Sequence, residues 1–139
     1  MHLVLRLFST TRALEKAAGR VFKPLGLTSA QFNILNLLSM SPGGMRASDL
    51  ASALIVDPSN VTGLLRRMMK EGLLEELENA GDRRQYIVGL SPKGRSVWRR
   101  ANPQYERCLA SLVAPFSRAE AAAAEKILLS LHDAAALLP

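Results

Sequence analysis

Apolar residues recur at helical spacing along nearly the whole chain, and the points where that spacing breaks divide it into elements. In residues 3–22, Val4, Leu7, Phe8, Thr11, Leu14, Ala18, Val21 and Phe22 share one helical face, most of them on a heptad-like pattern. Pro24 and Gly26 end that helix. Thr28-Ser-Ala-Gln31 then reads as a capping box, with the Thr hydroxyl serving the N3 amide and Gln reaching back. It opens a second helix with Phe32, Leu35 and Leu38 along one side and Ile34 and Leu37 widening the stripe. Ser41-Pro-Gly-Gly44 breaks it, Met45-Arg46 predicts a very short strand, and Ala47 to Leu54 a third helix burying Leu50, Ala51 and Leu54.

The next segment holds the most informative pattern. Asp57-Pro58 is a helix start, because an Asp side chain accepts a free first-turn N–H and proline gives up only a donor that has no partner there. Val61, Leu64, Leu65 and Met68, spaced i, i+3, i+4, i+7, form one buried stripe. The opposite face carries Ser59, Gly63, Arg66 and Lys70, flanked by Asn60, Thr62 and Arg67, with no carboxylate before Glu71. Gly72 ends the helix and Leu73-Leu74 begin a strand. Tyr86, Val88 and Leu90 alternate as a returning strand, with the polar loop Asn79-Ala-Gly-Asp-Arg-Arg84 between them. Two short helices separated by a two- or three-residue turn predict a helix-turn-helix, and the hairpin makes it a winged helix.

Ser91-Pro92 opens a long helix whose stripe runs through Val97, Trp98, Ala101, Tyr105, Cys108, Leu109, Leu112 and Val113, and Pro103 within it predicts a kink or a split. Pro115 closes that segment. Ser117-Arg-Ala-Glu120 is a second capping box, opening a last helix with Ile127, Leu128, Leu131, Ala135 and Leu138. The fold class expected is mainly α with a small β-hairpin wing, in one domain spanning 1–139.

Charge sharpens the picture. Net charge is +6 and the pI about 10.1, which favours a polyanion as partner. Residues 57–100 hold nine Lys/Arg against six acids, and residues 101–139 three against four, so the tail is the least basic part. The single cysteine, Cys108, excludes an intrachain disulfide and suits a reducing compartment; its apolar surroundings on the helix stripe predict a buried small hydrophobe. No apolar run approaches the ~18 residues of a membrane span. The basic, amphipathic first 24 residues have the character of a transit peptide, but their apolar pattern continues into the next element, which favours a structural helix and a bacterial cytoplasm.

Catalysis finds little support: His2 and His132 stand alone, no Cys/His cluster has metal-site spacing, and no glycine-rich phosphate loop follows a strand. No enzyme, cofactor or metal is expected. The basic helix face instead has the groups of a major-groove reader. Arginine pairs bidentately with guanine and asparagine with adenine, while hydroxyls and lysine reach phosphate or base edges, and Gly63 permits a close backbone approach. The plainer alternative is an amphipathic surface helix with a solvated basic face.

Taken in order, Pro24-Leu-Gly-Leu-Thr28, Gln31-Phe32, Asp49-Leu-Ala51, Asn60-Val-Thr-Gly-Leu64, Asp82-Arg-Arg84 and Leu90-Ser-Pro-Lys-Gly94 make the chain resemble the MarR family (multiple antibiotic resistance regulators) over nearly its whole length. The resemblance implies a homodimeric winged-helix repressor binding a pseudo-palindromic operator in double-stranded DNA. Residues 1–24 and 92–139 would be dimerisation helices and 28–91 the DNA-binding lobe. Pro58–Lys70 would enter the major groove, presenting Ser59, Asn60, Thr62, Gly63, Arg66, Arg67 and Lys70. In the wing, Arg84 would enter the minor groove beside Arg83, oriented by Asp82. It also implies release by a small, often aromatic, ligand between the dimer and DNA-binding regions. Here Phe8, Phe22, Phe32, Trp98 and Tyr105 are the possible walls, with Arg12 or Arg20 as counter-charge for an aromatic carboxylate. The same aromatics also suit an ordinary core.

Three features depart from the family pattern. Glu75, Glu76 and Glu78 make the first wing strand acidic. Arg46 replaces a small hydroxyl cap before the third helix and is a candidate phosphate contact. No N-terminal cysteine is present for peroxide sensing. The acidic strand keeps open an alternative: a winged-helix protein-interaction module, or a sensor with little DNA binding of its own.

Overall fold

The computed structural model describes residues 2–54, 58–77 and 87–137. Helix α1 (His2–Phe22) leads through a 3-10 turn (Lys23–Leu25) to α2 (Ser29–Ser39), followed by β1 (Met45–Arg46), α3 (Ala47–Leu54) and α4 (Pro58–Lys70). Strands β2 (Leu74–Leu77) and β3 (Ile87–Leu90) precede the long α5 (Pro92–Val113) and α6 (Arg118–Ala136). Both capping boxes form as the sequence predicts. Gln31 N donates to Thr28 Oγ1 at 3.2 Å while Thr28 N donates to Gln31 Oε1 at 2.9 Å. At α6, Glu120 N donates to Ser117 Oγ (3.3 Å), and the bonds that Ser117 Oγ (2.7 Å) and Ser117 N (2.8 Å) donate to Glu120 Oε2 hold its carboxyl below the ordinary value. Asp57, the expected cap of α4, lies outside the described residues.

The strands form one antiparallel sheet in the order β1-β3-β2, with Met45 opposite Val88 and Leu74 opposite Leu90. Strand β2 is therefore an edge. The chain divides into two compact units, residues 1–105 and 106–139. The core lies in the first, where Phe22, Phe32, Ile34, Leu35, Leu38, Leu50, Val61, Leu65, Met68 and Val88 are fully buried. It is filled by the apolar stripes of α2, α3 and α4 closing on the inner face of the sheet. Only the end of α1 joins it: Ala18 and Val21 pack against the core and Phe22 is inside, while Leu3, Val4, Leu5, Phe8 and Leu14 are exposed.

The second unit consists of the end of α5 and α6, and none of its described residues is buried. Three details differ from expectation. Of the kink or split expected at Pro103, the split does not form, and α5 runs unbroken from 92 to 113. It sits on an exposed face, where water can serve the carbonyl that loses its amide partner. Leu54 is half-buried, packing at the margin of the core. Cys108 is also half-buried, since no described residue of its unit is fully covered.

Candidate nucleic-acid interface

Helix α4 is buried along one side and exposed along the other. Val61, Leu65 and Met68 are buried against α3 and the sheet, with Leu64 half-buried beside them. Since ~100° separates successive residues, this anchors the rotation of the helix about its axis. Asn60, Thr62, Gly63, Arg66, Arg67 and Lys70 are exposed on the other side. A Cβ at Gly63 would meet nothing within 4 Å, so the fold itself does not require a glycine there.

The end of α4 is held just as firmly. Leu73 N donates to Met68 O and Gly72 N to Met69 O, both at 2.9 Å, with Gly72 at φ 74°: a Schellman stop that needs a residue without a Cβ penalty. Glu71 ties this corner to two distant elements. Its Oε2 accepts from Gln31 Nε2 of α2 at 3.0 Å, and its carbonyl accepts from Lys93 Nζ of α5 at 2.6 Å. Ser91 Oγ donates to Gly72 O at 2.6 Å and accepts from Gly94 N at 2.9 Å, so the start of α5 is clamped to the same corner. Pattern reading overlooked Gln31 and Glu71 as a pair, because they are 40 residues apart.

Arg46 is exposed at the end of β1, paired with Ile87 in register. Ser59 belongs to α4, but its side chain lies outside the described residues, as do Asp82, Arg83 and Arg84 of the expected wing. Glu75 and Glu76 are exposed on β2, and Glu78 lies outside the described residues.

The residues named for an effector pocket fall into three groups. Phe22, Phe32 and Tyr105 form one aromatic cluster, with Phe22 stacked on Phe32 at 4.2 Å and Tyr105 tilted against both at 5.6 and 4.8 Å. Trp98 is half-buried at the edge of the core, its Nε1 donating to Asn36 Oδ1 at 3.2 Å. Phe8, Arg12 and Arg20 are exposed along α1, and Phe8, at 66 % exposure, is apart from the cluster. One basic group escaped the sequence reading: Arg95, Arg99 and Arg100 line an open groove beside β2. Its signal was available, since residues 92–100 carry four cations and no acid.

This architecture and its charged helix face can be set against known proteins. The MarR family model matches residues 25–85. The homoprotocatechuate degradative operon repressor of Escherichia coli is 35 % identical over 108 residues, covering 74 % of this chain and 72 % of that protein. The chain belongs to the MarR family. The transcriptional activatory protein BadR of Rhodopseudomonas palustris is 36 % identical over 98 residues, 69 % of this chain, which spans only 56 % of BadR. Among solved structures, the Mycobacterium tuberculosis transcriptional regulator MOSR in complex with DNA is 27 % identical, with a TM-score of 0.76 over 97 % of this chain and 98 % of that one. The family and these relatives are transcription regulators, not enzymes. Among the described residues, no helix is long and apolar enough to cross a membrane.

Proposed function

We propose that this protein is a homodimeric, sequence-specific DNA-binding repressor acting in the cytoplasm on a pseudo-palindromic operator. The observation that carries the reading is the exposed face of α4, where Asn60, Thr62, Arg66, Arg67 and Lys70 surround the gap at Gly63 with no acid among them. Asn60 and Arg66 would read base edges, while Arg46, Arg67 and Lys70 contact phosphate. Ser59, Asp82, Arg83 and Arg84 complete the proposed interface on sequence grounds. Repression is preferred over activation because the repressor among the relatives is matched over the larger share of its own length.

Dimerisation is supported by apolar side chains that a single chain leaves uncovered. Leu3, Val4, Leu5 and Phe8 of α1, Leu109, Leu112 and Val113 of α5, and Ile127, Leu128 and Leu129 of α6 are all exposed. Such patches mark interaction surfaces, and residues 1–24 and 92–139 are assigned to dimerisation around the lobe 28–91. Two-fold symmetry then sets half-sites ~10 bp apart, centre to centre.

The effector reading assigns an aromatic carboxylate to the region of Phe22, Phe32 and Tyr105. The name of the E. coli relative, which ties it to degradation of an aromatic acid, agrees with this. Because those three rings already pack on one another, the ligand must displace at least one of them. It must also prefer the released form by several kcal/mol to empty the operator.

The test is a binding titration, at stated salt, with DNA from upstream of the protein's own gene and with random DNA. Asn60→Ala and Arg66→Ala are each expected to cost ~1–3 kcal/mol on the operator and little on random DNA. Equal losses on both would reduce these side chains to phosphate contacts, and no preference for the operator in the parent protein overturns the reading. Salicylate-like acids titrated into the preformed complex test release separately.

A further inference from the structure

We infer that the groove between β2 and the first turns of α5 binds a small polyanion, a di- or tricarboxylate or a phosphorylated compound of similar size. The open groove has a volume of about 520 Å³, within the range of small-ligand sites, and Leu90 and Pro92 supply the apolar part of its lining. Arg95 and Arg99 form one i, i+4 row along α5 and Ser96 and Arg100 a second beside it, and all four line the space. The opposite face of the helix, with Gly94, Val97, Trp98 and Ala101, packs inward and fixes which way these rows point.

Charge defines the occupant. Of the four cations in residues 92–100, Lys93 is engaged by the carbonyl of Glu71 at 2.6 Å. The three guanidiniums have no ion pair among the described residues, though Glu75 also lines the groove. Arginine forks match carboxylate and phosphate oxygens bidentately, and two forks one turn apart suit a ligand with two oxyanion groups. The open, polar lining does not suit an aromatic body. Nor does it suit a long polyanion such as a nucleic-acid backbone, because the exposed carboxylates of Glu75 and Glu76 on the edge strand would repel its continuation. No residue of α4 lines the groove, so the site is separate from the proposed DNA-reading face and does not depend on it.

The experiment uses the full chain, with citrate and inorganic pyrophosphate titrated separately at fixed ionic strength. Binding is followed by calorimetry and by the fluorescence of Trp98, the sole tryptophan, one residue from Arg99. Saturable binding of one ion per chain is expected, and the tighter of the two probes identifies the carboxylate or the phosphate class. The double substitution Arg95→Gln/Arg99→Gln should weaken it roughly tenfold or more, since each charged fork is among the stronger hydrogen-bonding groups. Glu75→Gln should tighten it about threefold by removing a like charge near the ligand. Unchanged urea midpoints in these variants exclude a folding effect. The proposal is overturned by no saturable binding of either ion, by equal affinity in the double variant, or by binding confined to an acidic polymer such as polyglutamate. A fall in operator affinity with a shallower salt dependence in the double variant would reassign the arginines to DNA phosphates, and also overturns it.

Discussion

Gly94→Ala places a single methyl group where the structure has no room for one. In a free helix the change would stabilise by ~1 kcal/mol. At position 94, a Cβ would sit 1.9 Å from the carbonyl oxygen of Leu73 and 2.9 Å from its carbonyl carbon. Relief requires the start of α5 to move away from the α4–β2 corner by more than ~1 Å, to an ordinary carbon–oxygen separation. Leu73 cannot yield easily, because its N–H is committed to Met68 O at 2.9 Å and its carbonyl accepts from Ser91 N at 3.2 Å. The helix must therefore shift and stretch the Ser91 bonds to Leu73 and Gly72. Overpacking costs ~1–3 kcal/mol and each of the two weakened bonds about 1 kcal/mol, so after the propensity gain the net loss is about 2–4 kcal/mol. With a slope near 2 kcal/mol/M, a 2 kcal/mol loss lowers the urea midpoint by about 1 M. The two proteins must be compared at one concentration, because the proposed dimerisation would make the midpoint concentration-dependent. A Gly94→Ala protein as stable as the parent would refute the close contact and the clamp built on it.

The other glycine substitution should go the opposite way: Gly63→Ala meets no neighbour within 4 Å, so it should raise stability by ~0.5–1 kcal/mol while weakening operator binding. A variant that is more stable yet binds the operator equally well would remove the close-approach role of Gly63. Glu71→Ala breaks the bond from Gln31 and should cost ~1 kcal/mol, with faster amide exchange in the last turn of α4, whereas Glu71→Gln keeps an acceptor and should retain both. Equal exchange in the two variants would make the Gln31 bond incidental. Finally, the bonds from Ser117 hold the Glu120 carboxyl below its ordinary value. The capping contribution is therefore present above the unfolded-state pKa and lost as pH falls through the lower folded-state value. Protection of the first α6 amides should fall in acid, and Ser117→Ala should reduce that pH dependence without abolishing it, because the backbone N–H of residue 117 still donates to Glu120 Oε2.

What was legible in the sequence and what was not follows from how far each interaction reaches along the chain. The two capping boxes span three residues each, and the apolar stripe Val61–Met68 spans two turns, so local spacing sufficed to place α2, α4 and α6 and to predict which side of α4 is exposed. Arg95, Arg99 and Arg100 were visible as a charge run but acquire a site only when β2 brings Glu75 beside them, across the hairpin. Phe8 and Phe22 fall on the same sequence stripe, yet the core ends before reaching the first half of α1. The periodicity that marks both residues as apolar-facing cannot say which one the chain covers for itself. Gln31 shows the same division within one residue. Its carbonyl oxygen caps Thr28 three residues away, as expected, while its amide reaches Glu71 at the end of α4. Since Phe32, the next residue, stacks on Phe22 within the aromatic cluster, a rearrangement of those rings has a two-residue path to the end of α4, the proposed DNA-reading helix. A helix anchored against rotation by its buried stripe would pass such a shift on as a displacement of its end, and with it of the exposed Arg67 and Lys70. Half-site spacing tolerates little of that.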